Sequence, residues 1–340
     1  MTLPLPESFT IRPCRIQPGS HGNDDAEAVA NLVNACAVER TGLPEVTAAG
    51  LRAEWQAPSV HLETDTALVH ATDGSLAGYV TVWAPAPHVR LRAVVEVHPS
   101  YRGQGIGTAL SHWLDDRGRQ ALTLAPEGIH PVLAQPVLST DEASQALLRA
   151  EGYELARHEF HMLLEMDAPP DESAPPDEHA SPGIRLRPFD REGELETVLQ
   201  VIREAFRGHW GYVELDFDDD LKEYLHLLDT DPNIDPTLWF VAEALTDPAR
   251  LVGTCFCYPV MAGDPDQAFI WGLAVLRPWR RQGVALALLQ HAFGELYRRG
   301  KRRVSLRVDA GNADGATHLY EKAGMRVQRQ YAYFEKTVHE

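Results

Sequence analysis

The sequence predicts an α/β (α+β) protein made of two similar domains in tandem. A length of 340 residues suits about two domains of ordinary size. Residues 166–183 are rich in proline, serine and acidic side chains and contain few apolar ones, which predicts a linker that cannot pack. The predicted parts are an N-terminal domain over residues 1–165, a flexible linker over 166–183 and a C-terminal domain over 184–340.

The C-terminal part alternates between strand and helix patterns. Residues 184–189 alternate in polarity, which predicts a strand, and residues 193–206 carry apolar side chains at helical spacing. Two apolar runs around "TDPA" predict a hairpin, and residues 268–276 predict a further strand. Residues 285–300 predict an amphipathic helix that ends at a glycine. A strand in "RRVSLRVDA", a helix in "GATHLYEKAG" and a strand in "RQYAYFEKTV" complete the order.

The N-terminal part repeats this order. "TIRPCR" matches "RLRPFD", and "YRGQGIG" matches "WRRQGVA" with an offset of 178 residues between Gly105 and Gly283. "LLRAEGYEL" matches "LYEKAGMRV" with an offset of 172 between Gly152 and Gly324. The two offsets differ, so one intervening stretch has changed length. The pattern indicates a repeat of whole domains rather than a solenoid with a short period.

Composition excludes several function classes. The 31 basic and 49 acidic residues give a net charge of −18, which argues against a nucleic-acid-binding surface and is compatible with an amine substrate, although solubility alone would explain it. We find neither a membrane-length apolar run nor a secretory signal pattern. The four scattered cysteines fit a reduced cytoplasm, and the alternating Cys255 and Cys257 suit buried thiols better than a metal pair. The expectation is a cytoplasmic protein without membrane, nucleic-acid or metal partners; its oligomeric state stays open.

The repeated glycine loop points to an anion. Each copy joins an apolar strand to the start of an amphipathic helix, where free backbone N–H groups and the positive end of the helix dipole meet. The glycines remove side chains where a phosphate would approach, and Arg102, Arg280 and Arg281 add positive charge. A Walker loop and a dinucleotide fingerprint need other residues and another position. A plain helix cap is the alternative, which the presence of two copies in matching contexts disfavours.

This loop resembles the acyl-CoA pyrophosphate loop of the GNAT-type N-acetyltransferases. Residues 309–325 are similar to the last motif of the same family, and the two-copy layout is similar to that of mycothiol synthase and other tandem acetyltransferases. The resemblance implies two acyl-CoA N-acyltransferase domains, each a mixed, mostly antiparallel sheet flanked by helices. It also implies acetyl-CoA as the co-substrate.

The resemblance further implies which residues contact the coenzyme. The strand before the second loop would offer backbone groups to the pantetheine arm and to the carbonyl oxygen, aided by a local bulge. Asn312 would touch the coenzyme arm or cap a helix. The implied residues are Leu273, Ala274, Val275, Arg280, Arg281, Gln282, Gly283, Val284, Ala285 and Asn312 in the C-terminal domain, and Val95, Val97, Arg102, Gly103, Gln104, Gly105, Ile106 and Gly107 in the N-terminal domain.

Tyr320 stands where the family carries the tyrosine that protonates the leaving thiolate, although an ordinary half-buried aromatic is the alternative. A tyrosine and a thiol have similar ordinary pKa values, so the proton transfer is feasible. With the offset of 172, Tyr320 falls on Leu148 and Asn312 on Thr140. Leucine cannot donate a proton, so the N-terminal domain is predicted to be non-catalytic. Whether it binds acetyl-CoA or only supports its neighbour stays open.

Acceptor contacts are expected from the loop after the first C-terminal helix. His209, Trp210 and Tyr212 offer an aromatic wall, and the acidic run at 216–220 either attracts a cation or begins a helix. The general base is unassigned, because Glu96, Glu243 and the pair Asp264 and Asp266 are expected on solvated faces.

The predicted function is acetyl transfer from acetyl-CoA to a primary amine by direct attack, with a small metabolite as the leading acceptor. A mycothiol precursor or a protein amine is an alternative acceptor. The competing class is a non-catalytic acyl-CoA binder that acts as a sensor or scaffold.

Overall fold

The computed structural model describes residues 5–16, 25–170, 183–246, 248–261, 263–312 and 315–339. Most of the predicted linker, residues 171–182, lies outside the described residues. The chain divides into two compact units. The first unit comprises the described residues of Met1–Arg157, Leu215–Pro232 and Tyr331–Glu340. The second unit comprises those of His158–Glu214 and Asn233–Gln330.

The helices and strands follow the order expected from the sequence. From the N-terminal half come β1 (Phe9–Arg12), α1 (Asp25–Thr41), α2 (Ala48–Trp55), α3 (Leu62–Asp65), β2 (Thr66–Ala71), β3 (Leu76–Trp83), β4 (Arg90–Val97), α4 (Ile106–Leu122), β5 (Val132–Leu138), α5 (Glu142–Ala150) and β6 (Glu154–Glu165). From the C-terminal half come β7 (Ile184–Pro188), α6 (Arg191–Phe206), α7 (Phe217–Thr230), β8 (Trp239–Ala244), β9 (Arg250–Tyr258), β10 (Gln267–Val275), α8 (Val284–Arg298), β11 (Arg303–Asp309), α9 (Ala316–Lys322) and β12 (Arg326–Thr337).

Each unit contains one mixed, mostly antiparallel sheet flanked by helices, which confirms the predicted fold class. In the first unit β1 to β4 are antiparallel neighbours, β5 is parallel to β4, and β12 pairs antiparallel with β5. In the second unit β7 to β10 are antiparallel neighbours, β11 is parallel to β10, and β6 pairs antiparallel with β11. The two sheets therefore have the same topology.

The last strand of each half completes the sheet of the other half. Residues 331–337 of β12 pair with β5 in the first unit, and residues 159–165 of β6 pair with β11 in the second unit. The helix α7 also belongs to the first unit, although it follows the linker in sequence. The compact units thus differ from the domain boundaries expected at 165 and 184. Alternating polarity shows where a strand lies but not which edge it joins.

The core that supports the second unit lies between its sheet and α8. Strand residues such as Cys255, Cys257 and Ile270 pack there against Leu288 and Phe293 of α8. All four cysteines are free and buried. Burial was expected for Cys255 and Cys257. Within the described residues, none of the helices combines the length and the apolar character that a membrane span needs.

Candidate active site

The glycine loop of the second unit ends in an exposed helix start. A single 3-10 turn (Arg277–Trp279) leads to Arg280 in extended backbone. Arg281 and Gly283 both adopt left-handed backbone, with φ of +62° and +85°, and α8 begins directly after Gly283. Val284 is buried and anchors the first turn, while Gly283 is exposed. The free N–H groups of this turn therefore face an accessible surface with the positive end of the helix dipole.

The first unit contains the same loop in the same conformation. Gly103 and Gly105 have φ of +75° and +81°, and α4 starts at the buried Ile106. Gln104 donates its side-chain N–H to the carbonyl of Ser100 at 3.5 Å. Its counterpart Gln282 donates to the carbonyl of Pro278 at 2.7 Å. The two loops are thus structurally equivalent at the offset of 178 that the sequence indicates.

Arg280 and Arg102, two of the predicted cationic side chains, each bond to residues of the unit that contains their loop. Arg280 donates from Nε to the carbonyl of Val275 at 3.0 Å and from Nη2 to the carbonyl of Ala205 at 2.8 Å. Arg102 forms an ion pair with Glu39 at 2.6 Å. These contacts position the loop backbone. Arg281 is exposed, so its guanidinium is the more accessible charge of the second loop.

Gly107 has a packing reason that the sequence pattern did not suggest. A Cβ atom there would lie 2.8 Å from Cδ2 of Leu147 on α5, so a side chain would require Leu147 to move. The counterpart Ala285 packs against the apolar core of the second unit. The small residue at this position therefore allows close packing beneath the helix start, and its role in the approach of a phosphate stays a prediction.

The strands before and after the second loop separate from each other. Strand β10 pairs with β11 only from Gln267 to Ile270, so residues 272–275 extend past the end of that ladder. The pairing of β10 with β9 shifts register between Ile270 and Gly272, which makes Trp271 a bulged residue two positions before Leu273. A bulge and a splayed edge leave backbone N–H and C=O groups for an extended ligand.

In the first unit β4 and β5 also separate, but the described part of β4 has no bulge. Strands β4 and β5 pair over Arg90–Arg92 alone, so Val95 and Val97 lie on the separated part of β4. The described ladder of β3 with β4 runs from Trp83 to Gly78 without a register shift. The bulge expected beside the loop is therefore present in the second sheet and not in the described ladder of the first.

Tyr320 lies on α9 of the second unit and is only 8% exposed. Burial, with a smaller effect of Cys255, raises the pKa of its hydroxyl well above the ordinary value, so the hydroxyl stays protonated at neutral pH. Tyr320 is thus more buried than the half-buried aromatic considered as the alternative and belongs to the core of the second unit, and its role as a proton donor stays a prediction.

The first unit has Leu148 at the place of Tyr320. Tyr153 N–H donates to the carbonyl of Leu148 at 2.9 Å, and Met325 N–H donates to the carbonyl of Tyr320 at the same distance. The intervening Gly152 and Gly324 both have left-handed backbone. Because the ends of α5 and α9 match bond for bond, the equivalence of Leu148 with Tyr320 holds in the structure.

Asn312 lies in a turn before α9 and does not cap that helix. Its backbone N–H donates to the carbonyl of Asp309 at 3.1 Å, and the carboxylate of Asp309 accepts from the N–H of Gly311 at 2.9 Å. The residue before α9 is Gly315, in left-handed backbone. The cap expected at Asn312 is therefore wrong. The coenzyme contact of Asn312 stays a prediction, and residues 313–314 lie outside the described part.

The predicted acceptor residues lie in the second unit, whereas the acidic run lies in the first. His209, Trp210 and Tyr212 follow α6 and are partly exposed, and the ring of His209 meets Phe206 edge-on at 5.2 Å. Asp216 caps α7 by accepting from the N–H groups of residues 218 and 219 at 2.9 and 3.3 Å. The acidic run is thus accounted for as a helix start.

The acids expected on solvated faces are mostly paired. Glu96 is buried and accepts both guanidinium N–H groups of Arg40, at 2.8 and 2.6 Å. Asp264 is buried and pairs with Arg303 at 2.7 Å. For these two residues the expectation of a solvated face is wrong, and their ion pairs give each a structural role.

Glu243 is also paired. Hydrogen bonds from Arg187 and then Arg185 lower the pKa of its carboxyl. A carboxylate held in its charged form by two guanidinium groups is a poor general base, so the base of the reaction stays unassigned.

His161 is a buried titratable group that the sequence did not single out. It lies on β6, opposite Arg307 of β11, and is 6% exposed. Burial, with the charges of Arg307 and Arg329, lowers the pKa of its imidazole to about 4. The residue escaped notice because β6 belongs by sequence to the other half of the chain.

We expect His161 to make the protein acid-sensitive. Between about pH 6.5 and 4 the unfolded chain binds a proton that the folded imidazole does not. The free energy of unfolding therefore falls as pH decreases through this window, by up to about 3 kcal/mol. Burial raises the pKa of Glu54 to about 7. Its protonation therefore raises the free energy of unfolding as pH decreases, and by the same amount in every variant.

The test compares urea unfolding at pH 7 and pH 4.5. His161→Gln should lose less stability over this interval than the wild type. His318→Gln, a change on an exposed side chain, should follow the wild type. Parallel pH dependence for all three proteins would contradict the assignment.

Comparison with known proteins agrees with this arrangement of two equivalent loops. The model of the acetyltransferase (GNAT) family matches residues 27–153 and again residues 195–325. The chain belongs to this family. It has the tandem layout that the sequence predicts, and it is an acyltransferase of a family that uses acyl-CoA.

Relatives share the two-copy architecture. A mycothiol acetyltransferase from Thermomonospora curvata is 29% identical over 261 residues, covering 76% of this chain and 77% of the relative. A crystal structure of a GCN5-related N-acetyltransferase from Sphaerobacter thermophilus superposes with a TM-score of 0.77 at 30% identity, covering 99% of this chain and 98% of that one. A tandem GNAT protein from the clavulanic acid biosynthesis pathway shares the fold, with a TM-score of 0.65 at 17% identity over 98% and 99% of the two chains.

Proposed function

We propose that the second unit transfers the acetyl group of acetyl-CoA to a primary amine by direct attack, with Tyr320 as the general acid. The observation that carries the proposal is the difference between the two equivalent helices. The second unit has a buried, protonated hydroxyl where the first has Leu148. The equivalent position can therefore supply a proton in only one of the two units.

The described residues fit acetyl-CoA. The exposed helix start after Gly283 offers N–H donors of the kind that bind a diphosphate. The splayed edge at residues 272–275 offers backbone groups to an extended arm and to the carbonyl oxygen. When bound, acetyl-CoA supplies the acyl group and a thiolate leaving group.

Tyr320 then has a defined chemical task. As the amine nitrogen bonds to the acyl carbon and the carbon–sulfur bond breaks, the Tyr320 hydroxyl donates a proton to the sulfur, and CoA leaves as a thiol. The proton that the amine nitrogen loses passes to solvent, from which the tyrosinate is reprotonated. Donation at the moment of bond cleavage is general acid catalysis. The backbone N–H groups of residues 273–275 that face away from β9 stabilise the charge on the carbonyl oxygen.

The acceptor we propose is a small amine metabolite, approached past His209, Trp210 and Tyr212. The similarity to a mycothiol acetyltransferase supports a mycothiol precursor as a specific candidate. A protein amine is the second candidate. In this proposal the first unit does not catalyse, because it has neither the hydroxyl nor the bulge.

The test measures CoA release from acetyl-CoA with a panel of small amines, a mycothiol precursor and peptide amines, using wild type and a matched pair of variants. Gly283→Leu forces a side chain into left-handed backbone, which costs about 1–2 kcal/mol. We expect its KM for acetyl-CoA to rise about tenfold. Gly105→Leu imposes the same strain on the first loop, and we expect it to leave turnover unchanged.

The same experiment distinguishes the competing class. Acetyl-CoA binding without turnover of any amine would favour a sensor or scaffold. An equal loss of turnover in both variants would contradict the assignment of catalysis to the second unit.

A further inference from the structure

The sheet of the second unit carries a row of aromatic rings on the face opposite α8. Side chains alternate between the faces of a strand. Phe240, Cys255 and Ile270 belong to the core that packs on α8. Their neighbours Trp239 and Phe256 therefore point to the other face.

The rings stand side by side in the order of the strands. Phe189, just after β7, lies 5.6 Å from Trp239 on β8. Trp239 stacks on Phe256 of β9, with centroids 4.2 Å apart and an interplanar angle of 20°. Phe256 in turn lies 6.2 Å from Trp271 of β10, at 23°. We refer to Phe189, Trp239, Phe256 and Trp271 as the aromatic row.

The aromatic row reaches the protein surface at the splayed edge. Trp239 and Phe256 are almost fully buried, whereas Trp271 is 40% exposed. Ile270 is the last β10 residue in the ladder with β11, so Trp271 is the first residue beside the opening. It is also the bulged residue, and bulges redirect side chains beside functional sites.

The geometry of the aromatic row favours a flat ring in the ligand. The interplanar angles along the row are small, so a further flat ring continues the stacking geometry. Arg307 is the first β11 residue beyond the ladder, and its charge is paired with Glu159 of β6 at 3.7 Å. The packed neighbours hold Trp271 in place before a ligand arrives, which lowers the entropic cost of binding.

We propose that Trp271 determines acceptor specificity by stacking on a ring with a flat apolar face in the acceptor amine. This inference rests on the proposed function, because it places the acceptor at the same opening. It narrows the substrate class from small amines to amines that carry a ring.

The experiment compares kcat/KM for two ring-bearing amines, phenethylamine and glucosamine, with that for hexylamine. We expect Trp271→Leu to lower kcat/KM for the ring-bearing amines by about tenfold through KM, with less than about twofold change for hexylamine. Trp271→Phe keeps a flat ring and should recover most of the loss. Leu245→Ala, a change at an exposed apolar residue outside the row, should behave as wild type.

The outcomes separate the two proposals. If the wild type acetylates amines but Trp271→Leu affects ring-bearing and straight-chain acceptors equally, or affects neither, the stacking role is overturned while the acetyltransferase proposal survives. If the wild type acetylates neither these three amines nor any amine of the larger panel described above, both the stacking proposal and the acetyltransferase proposal are overturned.

Discussion

Tyr320→Phe should lower kcat by about 10²–10⁴-fold, the range typical of a lost general acid, while acetyl-CoA binds as tightly as to the wild type. The substitution removes only the hydroxyl, so the buried ring still fills the core beside Cys255. Without the proton donor the sulfur leaves as an unprotonated thiolate. Steady-state kinetics and calorimetric titration with acetyl-CoA measure the two quantities separately.

The raised pKa of Tyr320 also predicts how kcat depends on pH. A general acid must be protonated, and burial keeps this hydroxyl protonated above its ordinary pKa. We therefore expect no loss of kcat from deprotonation of Tyr320 below about pH 10. Tyr153→Phe, a change at a buried tyrosine of the first unit, is the matched control and should retain wild-type kcat. A Tyr320→Phe enzyme within threefold of the wild type would rule out the acid role.

We also expect the C-terminal half of the chain to lose its stability when it is separated from the N-terminal half. We expect residues 184–340, expressed alone, not to fold. That fragment lacks β6, so β11 loses its ladder of seven residue pairs, and the core loses Met162, which is fully buried. Loss of one large core side chain costs about 2–5 kcal/mol, against a total stability of about 5–15 kcal/mol. Losing a whole strand exceeds that margin and exposes an aggregation-prone edge.

Complementation provides the control for this expectation. Residues 1–170 and 183–340, produced together, contain both exchanged strands and should assemble into a protein with cooperative thermal unfolding. A fragment of residues 154–340 keeps β6 and should regain part of the structure by circular dichroism. A cooperatively folded monomer of 184–340 alone would contradict the strand exchange.

Local patterns made much of the fold predictable. The apolar spacing predicts α8 over 285–300, and the helix spans Val284–Arg298, because an amphipathic stripe is encoded within one segment. The repeat of the loop was predictable for the same reason. A glycine before a helix indicates left-handed backbone, which Gly105 and Gly283 adopt.

Features that depend on distant partners were not predictable. The alternation in β6 identifies a strand, but its pairing with β11 depends on which sheet edge is open in the folded chain. The aromatic row draws on four separate segments, so no window of sequence contains it. The family resemblance predicts a bulge before the loop, but its position at Trp271 appears only when the registers of β9 and β10 are compared. Nor does the sequence distinguish a solvated Glu96 from one paired with Arg40.

A crystal structure of the full chain with CoA would show whether the diphosphate binds at the start of α8 and whether the sulfur lies beside Tyr320. We expect diphosphate oxygens within about 3 Å of the backbone N–H groups at the start of α8, with the sulfur within hydrogen-bonding reach of the Tyr320 hydroxyl. Diphosphate bound only at the loop of the first unit, or a sulfur remote from Tyr320 in the second, would contradict it.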